Sequence, residues 1–168
     1  MVGIPTLADP EVNVTTTLVS VPMASPSVNY AVAIGGVSVA SDALQDIGSV
    51  YLVDSGTTFM YTTAAVAASV AAAYSPAGVL VNGMYLTDCT AVAPDVSVAL
   101  GGIEFPINPA YLLYGDVGNA DAECVIPIIG VAADQSKVLG GVFMKNVLAV
   151  FDGGNNAIEF GGRENHKS

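Results

Sequence analysis

Apolar residues occur along this chain in short runs separated by polar stretches that contain glycine or proline. Short apolar runs bounded by turn residues are typical of β-strands. The most distinctive run is Val50–Val53, in which Val50, Tyr51 and Val53 are β-branched or aromatic. It stops abruptly at a carboxylate, Asp54. We therefore predict a buried strand that ends at an acid.

Glycine pairs separate several of the other runs. Gly35-Gly36 lies between residues 30–34 and 37–39, and Gly101-Gly102 lies between residues 96–100 and 103–107. Each pair predicts a β-hairpin with a two-residue turn. Further extended segments are predicted at residues 12–22, 124–131, 147–151 and 157–160, with a turn at residues 153–156.

One segment has a helical period. Residues 62–74 are rich in alanine, with larger apolar residues at every fourth position from Val66 to Tyr74, and Thr62 or Thr63 could cap the helix. A short second helix is predicted at residues 142–146. The fold class is therefore mostly β, with one main helix.

Composition and charge limit the classes of protein. The 168 residues are 52% hydrophobic and 11% charged, which predicts a folded domain or one lobe of a larger enzyme. A formal net charge of −11 would repel nucleic acid and anionic membranes, so we expect neither as a partner. The apolar segments are also too short to span a membrane.

The two cysteines, Cys89 and Cys124, allow two interpretations. They could be separate buried thiols. If paired, they would close a loop of about 35 residues, worth roughly 4 kcal/mol, and would indicate an oxidising compartment. Asn13 begins an N-glycosylation acceptor pattern, a weak signal for the same compartment. The first residues do not resemble a signal peptide, so we expect an expressed fragment or a processed chain.

Asp54 is followed by Ser-Gly-Thr-Thr. An acid at the end of an apolar strand is costly unless it is hydrogen-bonded, and the hydroxyls and backbone of this segment can provide such bonds. Asp54 is thus either a functional residue or one that only caps the turn. A Ser-His-Asp or Cys-His hydrolase is disfavoured because the only histidine, His166, lies in a polar tail. One histidine and two distant cysteines also argue against a zinc site, and no metal is expected.

Several features follow one another in a specific order. They are the Asp-Ser-Gly-Thr-Thr motif after a strand, the helix, two cysteines bracketing a Gly-Gly hairpin, Val138-Leu139-Gly140, a strand ending at Asp152, an Asn-Asn turn and a final strand. This order resembles the C-terminal lobe of a pepsin-like aspartic protease of the two-lobe eukaryotic type. The resemblance implies a double-psi-type β-barrel over residues 12–162. The residues outside this range indicate a leading segment or linker at 1–11, which has little periodicity, and a polar tail at 163–168.

The resemblance also implies roles for the residues of the motif. Asp54 would be the catalytic aspartate of an acid endopeptidase. Ser55, at a position where threonine is commoner, would bond across to a second lobe. The backbone N–H of Gly56 and the hydroxyl of Thr57 would bind the Asp54 carboxylate, and Thr58 would face the substrate backbone.

Other positions match the family outside the motif. Leu139 and Gly140 would pack beneath the active-site loop, with Gly141 standing where the family often has aspartate. Cys89 and Cys124 would form the disulfide of the lobe. The family's mechanism needs no cofactor and no metal.

The sequence contains one Asp-Ser/Thr-Gly motif, whereas the family's dyad uses two. The resemblance therefore implies half an active site, whose partners are a peptide substrate and either an N-terminal lobe or a second copy of the chain. The exposed lobe face would favour self-association. A secreted or vacuolar/lysosomal-type acidic compartment is expected.

Two other functions remain open at this point. One is a non-catalytic binding or inhibitor module that retains the fold. The other is a phosphate-binding ATPase of the actin/sugar-kinase type, in which a strand followed by Asp-x-Gly-Thr-Thr binds phosphate. The ATPase is the weakest, since such proteins need a second phosphate loop, a longer chain and more bases.

Overall fold

A computed structural model describes residues 17–24, 30–116 and 122–163. The elements of these residues confirm a mostly β fold with one main helix and a short second helix. The strands are β1 (Val19–Pro22), β2 (Ala31–Ala33), β3 (Gly36–Val39), β4 (Val50–Val53), β5 (Met60–Thr63), β6 (Val79–Val81), β7 (Met84–Asp88), β8 (Val96–Leu100), β9 (Ile103–Ile107), β10 (Glu123–Val125), β11 (Ile128–Val131), β12 (Lys137–Leu139), β13 (Val147–Asp152) and β14 (Ala157–Gly162). The helices are α1 (Ala64–Ala72) and α2 (Gly141–Met144), with a 3-10 turn at Pro109–Tyr111.

The strands form four sheets within the described residues. Three antiparallel sheets have the orders β1-β14-β13, β10-β7-β6 and β3-β8-β9. The fourth sheet, β11-β5-β12-β4-β2, is mixed, because β11 runs parallel to β5 and β12 runs parallel to β4. This mixed sheet carries Asp54 at the end of β4.

The mixed sheet contains two interlocked connections. β12 lies between β4 and β5, although these two strands are joined directly by residues 54–59. Likewise β5 lies between β11 and β12, which are joined by residues 132–136. Each connection therefore spans a strand that belongs to the other, which is the double-psi arrangement expected from the sequence.

Strand β4 packs one face on the core and leaves the other partly open. Tyr51 and Val53 are buried, whereas Val50 is 47% exposed and Leu52 is half-buried. Successive side chains of a strand point to opposite faces, so an apolar run of this kind need not be buried throughout. The prediction of a strand is confirmed, and the prediction that it is buried holds for one face only.

A polar network crosses the buried face of the mixed sheet. The Tyr51 hydroxyl donates to Asp46 Oδ2 at 2.6 Å and lies 2.6 Å from the hydroxyl of Thr62. Burial raises the pKa of Tyr51, and the hydrogen bond to Asp46 raises it further. The ammonium of Lys137 reaches Asp46 at 3.4 Å. The Asp46 carboxylate thereby links β4 to β12, and the Tyr51 hydroxyl links β4 to β5.

Helix α1 is shorter than the predicted segment 62–74. Thr63 is its N-cap and accepts a hydrogen bond from the N–H of Val66 at 3.3 Å, while Thr62 belongs to β5 and is buried. The predicted stripe is confirmed, since Val66, Val70 and Tyr74 are all buried. The helix ends at Ala72, and the N–H of Gly78 bonds the carbonyl of Ala71.

The two Gly-Gly pairs have different structures. Gly101 and Gly102 have φ values of 57° and 83° and join β8 to β9, which confirms that hairpin. The hairpin predicted at Gly35-Gly36 is wrong, because β2 pairs with β4 and β3 pairs with β8. The N–H of Gly35 donates to the carbonyl of Ala99 at 2.7 Å, so the chain crosses there from one sheet to another.

The segment predicted as one strand at 124–131 is two strands, β10 and β11, interrupted next to Pro127. Proline has no N–H to donate to a ladder, and the strands on either side join different sheets.

Cys89 and Cys124 are buried and form a disulfide with their Cα atoms 4.9 Å apart. The separate-thiol interpretation is therefore wrong.

The remaining predictions along the chain have mixed outcomes. Strands β13 and β14 pair through a turn at residues 153–156, as predicted. The second helix, predicted at 142–146, runs from Gly141 to Met144. Asn13, His166 and the leading segment lie outside the described residues. Among the helices of the described residues, none is long and apolar enough to cross a membrane.

The chain leaving β12 passes very close to the loop at 54–59. A Cβ atom placed on Gly140 would lie 2.0 Å from the carbonyl oxygen of Phe59 and 2.6 Å from that of Thr57. The N–H of Gly141 donates to the same Thr57 oxygen at 2.6 Å. Only glycine fits at position 140 while the chain passes this close to the carbonyls of Thr57 and Phe59.

We therefore predict that Gly140→Ala strongly destabilises the fold. The clash is with backbone atoms, which cannot rotate away, so the free energy of unfolding should fall by roughly 3 kcal/mol. Urea unfolding measures this change. Gly153→Ala is the matched control, because a Cβ at Gly153 would meet nothing within 4 Å. Equal stability of the two variants would contradict the prediction.

Candidate active site

Asp54 lies at the carboxyl end of β4, where the strand leaves the core. Its backbone N–H donates to the carbonyl of Leu139 at 3.2 Å, which extends the pairing of β4 with β12 by one residue. Its side chain is exposed, unlike those of Tyr51 and Val53 in the preceding strand. The double-psi arrangement thus presents one carboxylate to solvent on a rigid strand end.

Two donors from the following turn bind the Asp54 carboxylate. The N–H of Gly56 donates to Oδ1 at 2.8 Å, and the hydroxyl of Thr57 donates to Oδ2 at 2.6 Å. The Thr57 hydroxyl is the main cause and the Gly56 N–H the second cause of a lowered pKa for Asp54, since both bonds favour the charged form. Each carboxylate oxygen has a defined partner, so the orientation of the group is fixed.

The turn that supplies these donors is hydrogen-bonded to the start of helix α2. The N–H of Gly141 bonds the carbonyl of Thr57, and the N–H of Val142 bonds the carbonyl of Thr58 at 3.0 Å. These are N–H groups of the first turn of α2, which have no partner inside a helix. Leu139, which is fully buried, and Gly140 lie directly before this contact, beneath the loop that carries Asp54.

Two open cavities adjoin this loop. One, of about 280 Å³, is lined by residues that include Ser55, Thr58, Tyr111 and Lys145. The other, of about 490 Å³, is lined by Thr57, Tyr61, Val131, Gln135, Ser136 and Val138. Thr57 borders both. The loop therefore forms a ridge between two depressions, with Ser55 and Thr58 exposed on it.

Several site residues were not found from the sequence. Phe59 follows the motif directly, and its ring packs edge-on against Tyr114 with the ring centroids 5.2 Å apart. Tyr111, Tyr114 and Lys145 line the smaller cavity although they are more than fifty residues from the motif. No local pattern marks them, because the fold alone brings them to the cavity beside the active-site loop.

The disulfide lies behind Tyr114, one of the residues that line the smaller cavity. The backbone of Tyr114 pairs with Val125, the neighbour of Cys124, through two hydrogen bonds of 2.9 Å. A Cβ on Gly115 would lie 2.9 Å from the Cys124 sulfur. The disulfide therefore supports strand β10, to which Tyr114 is hydrogen-bonded. It does not contact the Asp54 carboxylate.

The geometry limits what this site can do chemically. An ionised carboxylate with a lowered pKa can accept a proton from water as a general base. It cannot at the same time donate a proton to a substrate oxygen, so a second acid is needed for acid–base catalysis at one centre. Within the described residues, no group of three or more potential ligands could hold a metal ion.

Comparison with known proteins gives a consistent result. The family described as Eukaryotic aspartyl protease matches residues 9–162. A protein of Aspergillus fumigatus named as a probable aspartic-type endopeptidase is 40% identical over 139 residues, covering 78% of this chain and 32% of that protein. An aspartic protease of Phaffia rhodozyma is 33% identical over 138 residues, covering 78% of this chain and 34% of that protein.

A vertebrate relative matches a shorter region. Gastricsin of Oryctolagus cuniculus is 31% identical over 86 residues, which cover 46% of this chain and 21% of gastricsin. The chain therefore spans about a third or less of the length of these three relatives.

We predict that Thr57→Val raises the pKa of Asp54 towards its ordinary value, because the largest cause of the lowering is removed. A ¹³C-carboxyl NMR titration of the chain measures this pKa. Thr58→Val is the matched control, since no bond from Thr58 to Asp54 is found among the described residues. An unchanged Asp54 pKa in Thr57→Val would contradict the assigned cause.

The same shift fixes the sign of a pH effect on stability. The pKa of Asp54 is lower in the folded chain, so its contribution is fully present above the ordinary value of 3.8 and is lost as the pH falls through the lowered value. In Thr57→Val the folded pKa lies closer to the ordinary value, so the contribution should be smaller and its loss should be complete at a higher pH. The effect should be small, because the carboxylate is exposed to solvent.

Proposed function

The chain belongs to the eukaryotic aspartyl protease family, and we propose that it is the C-terminal lobe of an acid endopeptidase. In this proposal Asp54 is one of two catalytic aspartates, and the other comes from a second lobe. The observation that carries the proposal is the Asp54 carboxylate, exposed at a strand end and bound by Gly56 and Thr57.

The proposed mechanism follows from the chemistry of two facing carboxylates. Two such groups about 3 Å apart cannot both ionise easily, so the pair holds one proton. The ionised member takes a proton from a bound water, and the resulting nucleophile attacks the peptide carbonyl carbon. The protonated member hydrogen-bonds the carbonyl oxygen, which becomes negatively charged. Gly56 and Thr57 would keep Asp54 oriented throughout.

The need for a second lobe is supported by two facts. The sequence has a single Asp-Ser-Gly motif, and the chain spans only about a third of its fungal relatives. The partner would be an N-terminal lobe or a second copy of the chain. Ser55 would bond across to that partner and Thr58 would face the substrate backbone, roles that suit their exposure.

The assignment to the C-terminal lobe rests on the order of the motif, the cysteine pair and the final hairpin along the chain. The disulfide between Cys89 and Cys124 and the acidic composition suit an oxidising, acidic compartment, such as a secreted or vacuolar/lysosomal-type location. Peptides are the proposed substrates.

An exposed apolar surface lies beside Asp54. The carbonyl of Tyr30 accepts the N–H of Val53, and the Tyr30 ring packs edge-on against Phe151 with the ring centroids 4.6 Å apart. Tyr30 is 53% exposed and Phe151 is 41% exposed. Such a surface favours association, so we expect the isolated chain to dimerise or to depend on its partner.

A second candidate function is a non-catalytic binding or inhibitor module that keeps the fold. The single carboxylate favours it, because one aspartate alone cannot form the dyad. The two candidates differ in whether any assembly of this chain hydrolyses peptides.

The test is peptide hydrolysis between pH 3 and 6, by the chain alone and together with the N-terminal lobe. A pepstatin-type transition-state analogue is added in parallel, and the molecular mass in solution is measured. We predict inhibitable hydrolysis by the assembled protein, reduced about a thousandfold or more in Asp54→Asn. The carboxamide keeps the shape of the side chain but cannot act as a base.

Asp95→Asn is the control, because it removes one charge at an exposed position that lines neither cavity. Its activity should match that of the parent protein. Full activity of Asp54→Asn would refute the proposed role. A folded chain without hydrolysis in any assembly would favour the non-catalytic module.

A further inference from the structure

The smaller cavity beside Asp54 contains one charged side chain, Lys145, among its described lining residues. Lys145 follows α2 directly, and its N–H donates to the carbonyl of Gly141 at 3.1 Å. Gly141 in turn is bonded to Thr57 of the active-site loop. The same short helix therefore supports the loop and places a cation near it.

The position of the Lys145 ammonium is defined by an aromatic ring. It lies 4.9 Å from the ring centroid of Tyr111, a cation–π contact. Lys137, by contrast, is paired with Asp46. Within the residues that the structure describes, no carboxylate lies within ion-pair distance of Lys145. Among these described residues no acid neutralises its positive charge, and the cavity that Lys145 lines is open to a ligand.

This cation is unusual in its surroundings. The chain has four lysine and arginine residues against fifteen acids, so its overall field repels negatively charged ligands. The described residues that line the cavity include no acid and add the hydroxyls of Ser55 and Thr58. The described lining thus carries one positive charge in a molecule that is negative overall, and hydrogen-bond donors accompany it.

We propose that this cavity is a substrate subsite that favours an acidic side chain, whose carboxylate pairs with Lys145. The inference rests on the proposed function, in which a peptide lies across Asp54. Because Ser55 and Thr58 belong to the loop that follows Asp54 and line the cavity, a peptide held at the carboxylate would have a neighbouring side chain beside the lysine. Tyr111 fixes the lysine and forms one wall of the subsite.

The test uses peptide pairs that carry glutamate or glutamine in turn at each position around the cleaved bond. They are assayed at pH 5.5 with the assembled enzyme, where a free glutamate is ionised because its ordinary pKa is about 4.3. At one position the glutamate peptide should have the higher kcat/KM, by about threefold, since Lys145 is exposed and such ion pairs are weak.

In Lys145→Gln this ratio should fall to one. Lys145→Arg, which keeps the positive charge, should keep the preference for the glutamate peptide. Arg163→Gln is the matched control, because it removes a base that does not line the cavity and should leave the ratio intact. A preference that is absent from the parent enzyme, or unchanged in Lys145→Gln, overturns the inference.

Two further outcomes separate this inference from the proposed function. Loss of lobe association in Lys145→Gln, with no glutamate preference in the parent, would mean that a carboxylate of the partner pairs with Lys145, which overturns the subsite. If no peptide is hydrolysed, the proposed function fails, and binding of the labelled peptides to the chain decides the subsite. Tighter binding of the glutamate peptide that Lys145→Gln abolishes would support it, and equal or no binding would overturn it.

Discussion

The structure depends on the close passage of Gly140 beneath the loop that follows β4. Strand β12 lies between two strands that the loop connects, so the chain leaving β12 must pass the loop carbonyls. Position 140 has no room for a side chain, and the next two N–H groups bond the carbonyls of Thr57 and Thr58. The shape of the loop is therefore set by a steric limit and by backbone hydrogen bonds, which mutation of its exposed side chains would not remove.

The chemistry of Asp54 follows from that shape. With the backbone of Thr57 held from below, its hydroxyl and the N–H of Gly56 both point at the carboxylate and stabilise its charged form. The part-buried network of Tyr51, Asp46 and Lys137 holds the strands behind the site together. The charged group itself remains in solvent, where it costs little free energy and can meet a second carboxylate.

Much of this could be predicted from local sequence. The strand before Asp54, the cap at Thr63 and the hairpin at Gly101-Gly102 each depend on neighbouring residues. Gly35-Gly36 has the same local pattern as a hairpin, but a bond to Ala99 decides its structure. The residues of the candidate site likewise fall into those that a local pattern marks and those that only the fold brings together. The motif residues were found from their order, whereas Lys145 reaches the cavity only through the fold.

The central claim is that Asp54 is half of a carboxylate pair. The most direct test is the ¹³C-carboxyl titration of Asp54 in the monomeric chain, at a dilution that prevents self-association, and in the assembly with its partner lobe or second copy. The account predicts a single step with a lowered pKa in the monomer, and two coupled steps in the assembly, because two adjacent carboxylates share one proton. An identical single-step titration in both states would contradict it.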